Sequence, residues 1–477
     1  MKLRQPQTSI SPLVALGISP LDTDTTLNLS AHTPLAEVRD NPHAHRIIDG
    51  FYDAERRDYY YKNERGVWLP LTESQFKKHL KAAGYSTKTP QGAWESPADH
   101  VIRNLQNHRD IQYAGRLCGA KEGFHEVGAI RFLVTESYHL PEPVKGKWDC
   151  LEKIILGLLR KSESVEVGQK QWDTLHGWMQ TAQIALRAGR IQQAQMMALA
   201  GPAGCGKSLF QSIITETLGG RVAKAARYMQ GGTDFNGDLF EAEHLALEDE
   251  FMSHRISDRL QLGASIKNFC VSTRKQSCHR KNRQAVTLPA WWRVSITLND
   301  DPEAMRVLPP LDDHIQDKII LLRGSRFEFP MPMDDTDSQD RLFQQIKSEI
   351  PAYLYWLLND FQIPPSCADS RRYIVATWHH PELKRELENL SPEADLLALV
   401  DTILWQTGDH QWRGTAEELQ AELIRDSTTS QAAKKLLEWR QATGTYLQRL
   451  AGKHPERVED KRTSTKREYL IRCPSEI

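Results

Sequence analysis

Apolar positions along the chain recur with two periods, and the changes between them mark out its elements. An unbroken apolar run at 196–200 (MMALA) reads as a buried strand. Immediately after a glycine-rich stretch, positions 209, 210, 213, 214 and 218 fall on one side of a helix. A second short apolar run, at 244–247, ends in three acids. A third, at 292–298, ends in a polar residue, and 318–322 (KIILL) supplies a further strand. Ahead of this series, CLEKIILGLLRKS and QWDTLHGWMQTAQIALRAG carry helical spacing, so 149–190 reads as a helical hairpin. Behind it, PMDDTDSQD (332–340) reads as a linker. Residues 342–361 resume a helix that Pro351 is expected to kink or restart.

The two ends of the chain follow other patterns. Residues 1–44 are rich in Thr, Pro and Ser without periodicity and read as a loosely ordered tail. FYDAERRDYYYKNERGVWLPL alternates aromatic and polar residues around a turn at Asn63, which predicts a hairpin, and 74–84 predicts a short capped helix. Residues 45–148 therefore form a small α/β accessory domain. Its Tyr59-Tyr60-Tyr61 run suits either base stacking or, more simply, a strand packing its own domain. From 391 to 477 three helices are predicted, the second opening with a capping box at Thr415 and Glu418. Two short strands joined by a basic tip follow, which together make a winged helix. The division is a tail (1–44), an accessory domain (45–148), a helical hairpin (149–190), a core (191–330), a linker with a helical segment (331–390) and a winged helix (391–477).

Composition narrows the partners. The 477 residues carry a formal net charge of −1 with 26% charged residues, so nucleic-acid contact has to come from local patches. Seven cysteines lack metal-ligand spacing, and the N-terminus lacks the apolar core of a targeting peptide. Both are expectations for a cytoplasmic protein with reduced thiols. No apolar run approaches the length of a membrane span.

The chemistry centres on 201–208. Gly201-Pro202-Ala203-Gly204-Cys205-Gly206-Lys207-Ser208 fits G-x-x-x-x-G-K-[ST] between a strand and a helix, the setting a phosphate-binding loop requires. Its glycines let backbone N–H groups converge on phosphate oxygens. Lys207 should reach the β- and γ-phosphates of a nucleotide, and Ser208 should hold Mg²⁺. Cys205 is a small filler or a reactive thiol. The acids ending the second strand supply the other metal anchor, Asp249, and the group that orients or deprotonates water, Glu250. A shift by one to Glu248 and Asp249 stays open, since strand register is not fixed by sequence. Asn299 ends the third strand, within reach of the γ-phosphate or the water, so the catalytic set is Lys207, Asp249, Glu250 and Asn299. Between the acids and Asn299 lie Arg274, Lys275, Arg280, Lys281 and Arg283, a hairpin with a cationic tip suited to phosphate backbones, with Lys267 on the helix before it.

In order and spacing, GPAGCGKS (201–208), LALEDE (245–250), the 267–281 region and SITLN (295–299) resemble superfamily 3 helicases, specifically the primase-helicase-type proteins of phages, plasmids and integrated mobile elements. The resemblance implies an α/β P-loop NTPase of AAA+-like type assembled into a ring, usually hexameric. It implies a hairpin that lines the channel and grips DNA, single strand or fork, through Lys267, Lys275 and Lys281. It also implies a trans-acting arginine after the Asn strand. This chain has Asp317-Lys318-Ile319 there, which makes Lys318 the candidate, with Arg306 and Arg323 as alternatives. No D-x-D or D-x-E near a fitting histidine is read in 1–148, so no primase acid constellation is expected there. The expected function is an ATP-dependent DNA helicase in mobile-element replication. The alternative is a nucleotide-switched DNA-binding initiator or defence ATPase without processive unwinding.

Overall fold

The computed structural model describes residues 49–477 except 249–251, 254, 272–274, 370–371, 406–409, 463–465 and 475–477. Asp249, Glu250, Arg274 and the 1–44 tail therefore lie outside the described residues.

The first described elements are β1 (Gly50–Asp53), β2 (Asp58–Lys62) and β3 (Trp68–Thr72). They form an antiparallel meander that turns at Asn63 as the alternation predicts. Helices α1 (Glu73–Ala82) and α2 (Pro97–His108) cover one face, and β4 (Asp110–Ile111) pairs parallel with β1. The α1 cap lies two residues earlier than Ser74: Thr72 and Gln75 exchange a capping box, satisfying two orphan N–H groups. Tyr59 and Tyr60 are 1% and 3% exposed, so the tyrosine run packs its own domain and presents no stacking platform. Strands β5 (Tyr113–Gly115), β6 (Gly123–Val127) and β7 (Ile130–Val134) form a second small sheet in the order β5-β7-β6.

Helices α3 (Asp149–Arg160) and α4 (Val165–Arg187) make the expected helical pair. The chain then builds β8 (Met196–Ala200), α5 (Lys207–Thr217), β9 (Val222–Lys224), the short α6 (Ala226–Met229), β10 (His244–Glu248) and α7 (Ile256–Val271). The hairpin β11 (Lys275–Cys278) and β12 (Val286–Pro289) follows, then β13 (Arg293–Leu298), the short α8 (Pro302–Met305) and β14 (Ile319–Arg323). Five of these strands form one parallel sheet in the order β14-β8-β13-β10-β9. Alternate residues serve opposite faces, as a strand's two-residue period demands. Met196, Ala198 and Ala200 join one core with Leu245, Leu247, Ile296 and Ile319. Met197 and Leu199 join the other with Ile320, Leu322 and the apolar stripes of α3, α4 and α5. Both faces are dry, which explains why these strands read as continuous apolar runs. The helical pair is thus a layer of the nucleotide-binding core.

The linker expected at 332–340 gives way to helix from Thr336. Asp335 caps α9 (Thr336–Asn359) by accepting Ser338 N–H at 2.7 Å. Helix α9 runs through Pro351 without restarting. Ile350, Tyr353 and Leu354 around it are buried, and their packing offsets the lost hydrogen bond.

A two-stranded ribbon, β15 (Ala368–Asp369) with β16 (Ile374–Val375), and α10 (Pro381–Asn389) lead to the C-terminal elements. These are α11 (Pro392–Ile403), β17 (Gln411–Gly414), α12 (Ala416–Arg425), α13 (Ser430–Leu436), α14 (Ala442–Lys453), β18 (Val458–Arg462) and β19 (Arg467–Arg472). The capping box of Thr415 and Glu418 opens α12. The expected third helix is two, broken where Leu437 turns into the core, and β17 adds an unforeseen strand, giving the sheet order β17-β19-β18. Among the described residues no helix is long and apolar enough to cross a membrane.

Candidate nucleotide site and cationic hairpin

All five core strands run the same way, so their C-terminal ends share one edge. The chain leaves β8 at Gly201, whose N–H donates to Leu298 O at 3.1 Å, tying the loop to β13. A Cβ on Gly201 would stand 2.7 Å from Gly324 O and 3.0 Å from Cys205 Sγ, so only glycine fits. Gly204 and Gly206 take φ of +76° and +97°, the left-handed region glycine tolerates. Gly206 is the N-cap of α5 and supplies no side-chain cap, so the first N–H groups of α5 are open to an anion at the positive end of the helix dipole. That uncapped cradle fits a phosphate, with Ser208 exposed on the first turn. When bound, Mg²⁺ and ATP would supply charge neutralisation and the transferable phosphoryl group.

Lys207 is folded back on the loop. Its Nζ donates to Gly201 O at 2.8 Å, Pro202 O at 3.1 Å and Asn299 Oδ1 at 2.7 Å. The strand order explains the last contact: β13 lies between β8 and β10, placing Asn299 between the phosphate loop and the acid-bearing strand. Gln211 locks α5 to the same two strands, donating to Leu247 O at 2.8 Å and Ser295 Oγ at 3.2 Å. Beneath them His244 is fully enclosed between Thr215 Oγ1 (2.7 Å) and Ser295 Oγ (2.8 Å), and burial lowers its pKa to about 3. Glu248 lies 3.6 Å from Lys224 Nζ on β9, the strand away from the phosphate loop. Cys205 is 1% exposed, and burial pushes its thiol up, which leaves it a filler.

Sequence reasoning missed the stretch following β14. Arg326 Nε donates to Ala203 O at 3.1 Å inside the phosphate loop. Phe327 and Phe329 pack 4.6 Å apart, and Phe329 Cζ stands 3.4 Å from where a Gly206 Cβ would lie. The available signal was the alternation Arg-Phe-Glu-Phe at 326–329.

The three candidates for a trans-acting cation are each tied down within the chain. Lys318 is 9% exposed and its ammonium bonds Asp317, Arg306 pairs with Asp395 at 3.2 Å, and Arg323 pairs with Glu382.

The hairpin forms where expected, with Lys275 opposite Pro289 and Cys278 opposite Val286. Lys275 and Lys281 are exposed, and Lys267 on α7 is half-buried. Arg280 and Arg283 turn instead to the N-terminal domain. Arg280 Cζ stacks 4.0 Å over Tyr113 and Nη1 donates to Ala114 O at 3.2 Å; Arg283 Nη1 lies 3.8 Å from Asp53 Oδ2. Gln284 N–H donates to Glu55 Oε1 at 2.7 Å. In the C-terminal elements Lys434, Lys435 and Arg440 are exposed, whereas Arg449 pairs inward with Glu393 at 3.0 Å.

No protein-family model matches the chain, and no curated protein matches it. A solved structure of the NrS-1 C-terminal region is similar over 89% of this chain and 96% of that chain, at 12% identity and a TM-score of 0.49. SCCmec type IV Cch, titled an active helicase, is similar over 85% of this chain and 73% of that one, at 10% identity and a TM-score of 0.28. The JCV helicase is similar over 52% and 67%, at 13% identity and a TM-score of 0.24. At such values the residues themselves, not these likenesses, have to carry a functional reading. The phosphate loop and the five-stranded parallel sheet that presents it make the core an α/β P-loop NTPase.

Proposed function

We propose that this protein is an ATP-driven DNA helicase of the superfamily 3 type, working as a ring, hexameric by resemblance, in replication of a mobile element such as a phage or plasmid. The observation that carries the reading is the bond between Lys207 and Asn299. It joins the phosphate loop to the strand that the cationic hairpin immediately precedes, so a change at the γ-phosphate reaches the hairpin through β13. Lys207 and Asn299 bind and sense the phosphate, Ser208 and Asp249 hold Mg²⁺, and Glu250 orients water. Lys267, Lys275 and Lys281 meet the DNA backbone. The trans-acting cation is Lys318 only if a neighbouring subunit draws it from Asp317. We read the C-terminal elements as a winged helix, whose exposed Lys434 and Lys435 suit duplex phosphate.

The docking of Arg280 and Arg283 on the N-terminal domain favours a second reading, a nucleotide-switched DNA-binding initiator or defence ATPase without processive unwinding. Strand displacement on a forked duplex with ATP and Mg²⁺ separates the two. Unwinding that Lys207→Ala abolishes is expected. Hydrolysis stimulated by DNA with no displacement would leave the switch.

A further inference from the structure

Where the hairpin tip meets the N-terminal domain, the chain leaves an open crevice of about 490 Å³. Arg56 and Tyr60 line it from the meander, Arg116 from the end of β5, Arg280 and Arg283 from the hairpin, and Glu241 is its lining acid. Four guanidinium groups thus converge from three separate parts of the chain. Three of them pair with an acid at ion-pair distance without a direct hydrogen bond to it, while Arg56 donates to Tyr60 OH at 2.9 Å and Arg280 to Ala114 O at 3.2 Å. Arg56 stands 3.6 Å from Asp58, Arg280 3.7 Å from Glu241 and Arg283 3.8 Å from Asp53, all beyond hydrogen-bond reach. Arg116 alone of the four holds its acid closely, Glu136 at 2.7 Å. Asp53 is 1% exposed, and burial raises its carboxyl above the usual range, which works against its countercharge. The wall is shaped for this approach: Gly115 has φ +153°, and a Cβ there would stand 2.8 Å from Arg280 Nη2.

We infer that this crevice is a phosphate-binding site and that its occupant is the backbone of a single-stranded nucleic acid, led in over the exposed Lys281. Guanidinium forks are the chemistry for phosphoryl oxygens, and three of the four hold their acids only at 3.6–3.8 Å, so a phosphoryl group can compete for their N–H donors. The N-terminal domain then becomes a second arm of the DNA grip. The inference rests on the nucleic-acid reading above. A small phosphorylated molecule would offer the same oxygens, and the test has to separate the two sources.

The test compares the full chain with Arg56→Gln/Arg116→Gln and, separately, Lys275→Ala/Lys281→Ala. Binding of a fluorescent 20-nucleotide oligo-dT is followed by anisotropy across a salt series, and thermal unfolding is followed with and without millimolar inorganic phosphate. The expected result is affinity about tenfold weaker for Arg56→Gln/Arg116→Gln, with a salt slope smaller by about 1.4, two phosphates at about 0.7 each. Arg56→Lys/Arg116→Lys should restore the slope, because it keeps the charge, which a merely structural role would not require. An unchanged oligonucleotide slope in Arg56→Gln/Arg116→Gln, with a loss confined to the lysine pair, overturns the crevice while leaving the nucleic-acid reading intact. If the wild-type chain binds no oligonucleotide, that reading fails first. Phosphate-dependent stabilisation lost in the arginine pair would then assign the site to a free phosphorylated ligand, and no effect in either arm overturns the site altogether.

Discussion

On the proposed reading, Lys207 is the residue on which the nucleotide chemistry turns. Its three contacts hold the ammonium between the loop carbonyls and Asn299, where an incoming γ-phosphate would compete with them. Replacing Lys207 by Ala should cut ATP hydrolysis by at least about 100-fold, a barrier rise of about 2.7 kcal/mol. Phosphate release within tenfold of wild type would remove the loop from catalysis. Asn299→Ala should lower kcat by about 10-fold while nucleotide affinity stays within a few-fold, because Asn299 contributes alignment more than binding. A loss of affinity with unchanged kcat would instead make Asn299 a binding group. The loop and Asn299 were legible in the sequence, because their chemistry is fixed by spacing along the chain or by a strand end. Arg326 was not, since its bond to Ala203 joins residues far apart in sequence, and the alternation at 326–329 marks a strand-like stretch without saying what it packs on. Nor was the inward turn of Arg280, which depends on Tyr113 and Gly115 in another domain.

At the scale of elements, α3 and the stretch after β14 meet at Gly157. Alanine in a helix interior ordinarily stabilises over glycine by about 1 kcal/mol. Here a Cβ would stand 2.5 Å from Phe327 Cδ2 and 2.9 Å from its Cβ, so the ring has to move. Phe327 adjoins Arg326, which bonds the phosphate loop, so Gly157→Ala should lower the thermal midpoint and raise KM for ATP together. A midpoint that rises with KM unchanged would show that the stretch repacks freely. Two buried histidines, His176 on α4 and His244 on β10, make a second, pH-dependent prediction. His176 and His244 are fully buried, and burial lowers both to about 3, against about 6.5 in an unfolded chain. The unfolded state binds more protons below about 6.5, so stability present at neutral pH is lost as pH falls from about 6.5 toward 3. At pH 5.5 the loss is about 1.4 kcal/mol per histidine. Urea unfolding at pH 7.5 and 5.5 measures it, and His244→Gln should shrink the difference in stability by about 1.4 kcal/mol; an undiminished difference would acquit His244. Elements with local signals were readable: the Thr415 cap, the Asn63 turn, the apolar strands. The unbroken passage of α9 through Pro351 was not, because burial rather than propensity decides it. The break between α13 and α14 escaped for the same reason, since it follows where Leu437 packs.

In the whole molecule the hairpin bridges two bodies that composition alone would not join. Its strands continue from the nucleotide core, its arginines grip the N-terminal domain, and its lysines face solvent. This division of labour gives Lys275 and Lys281 a separable role. They are exposed and remote in sequence from the phosphate loop, so neutralising both should leave the fold intact while removing two cations from the face a strand would follow. Single-strand affinity should fall, the salt slope should shrink by about 1.4, and the ratio of DNA-stimulated to DNA-free hydrolysis should drop toward one. The coupling has a physical route: Asn299 holds Lys207 at one end of β13, and the hairpin enters β13 at the other. On the proposed reading, a movement of Lys207 toward a bound phosphate would pull on the strand that carries the hairpin. If the lysines were merely a solvated loop, neither the slope nor the ratio would move. A Lys275→Ala/Lys281→Ala protein that displaces a strand from forked DNA at the wild-type rate would place the grip elsewhere, and the arginines between hairpin and N-terminal domain would then be the cations left to provide it.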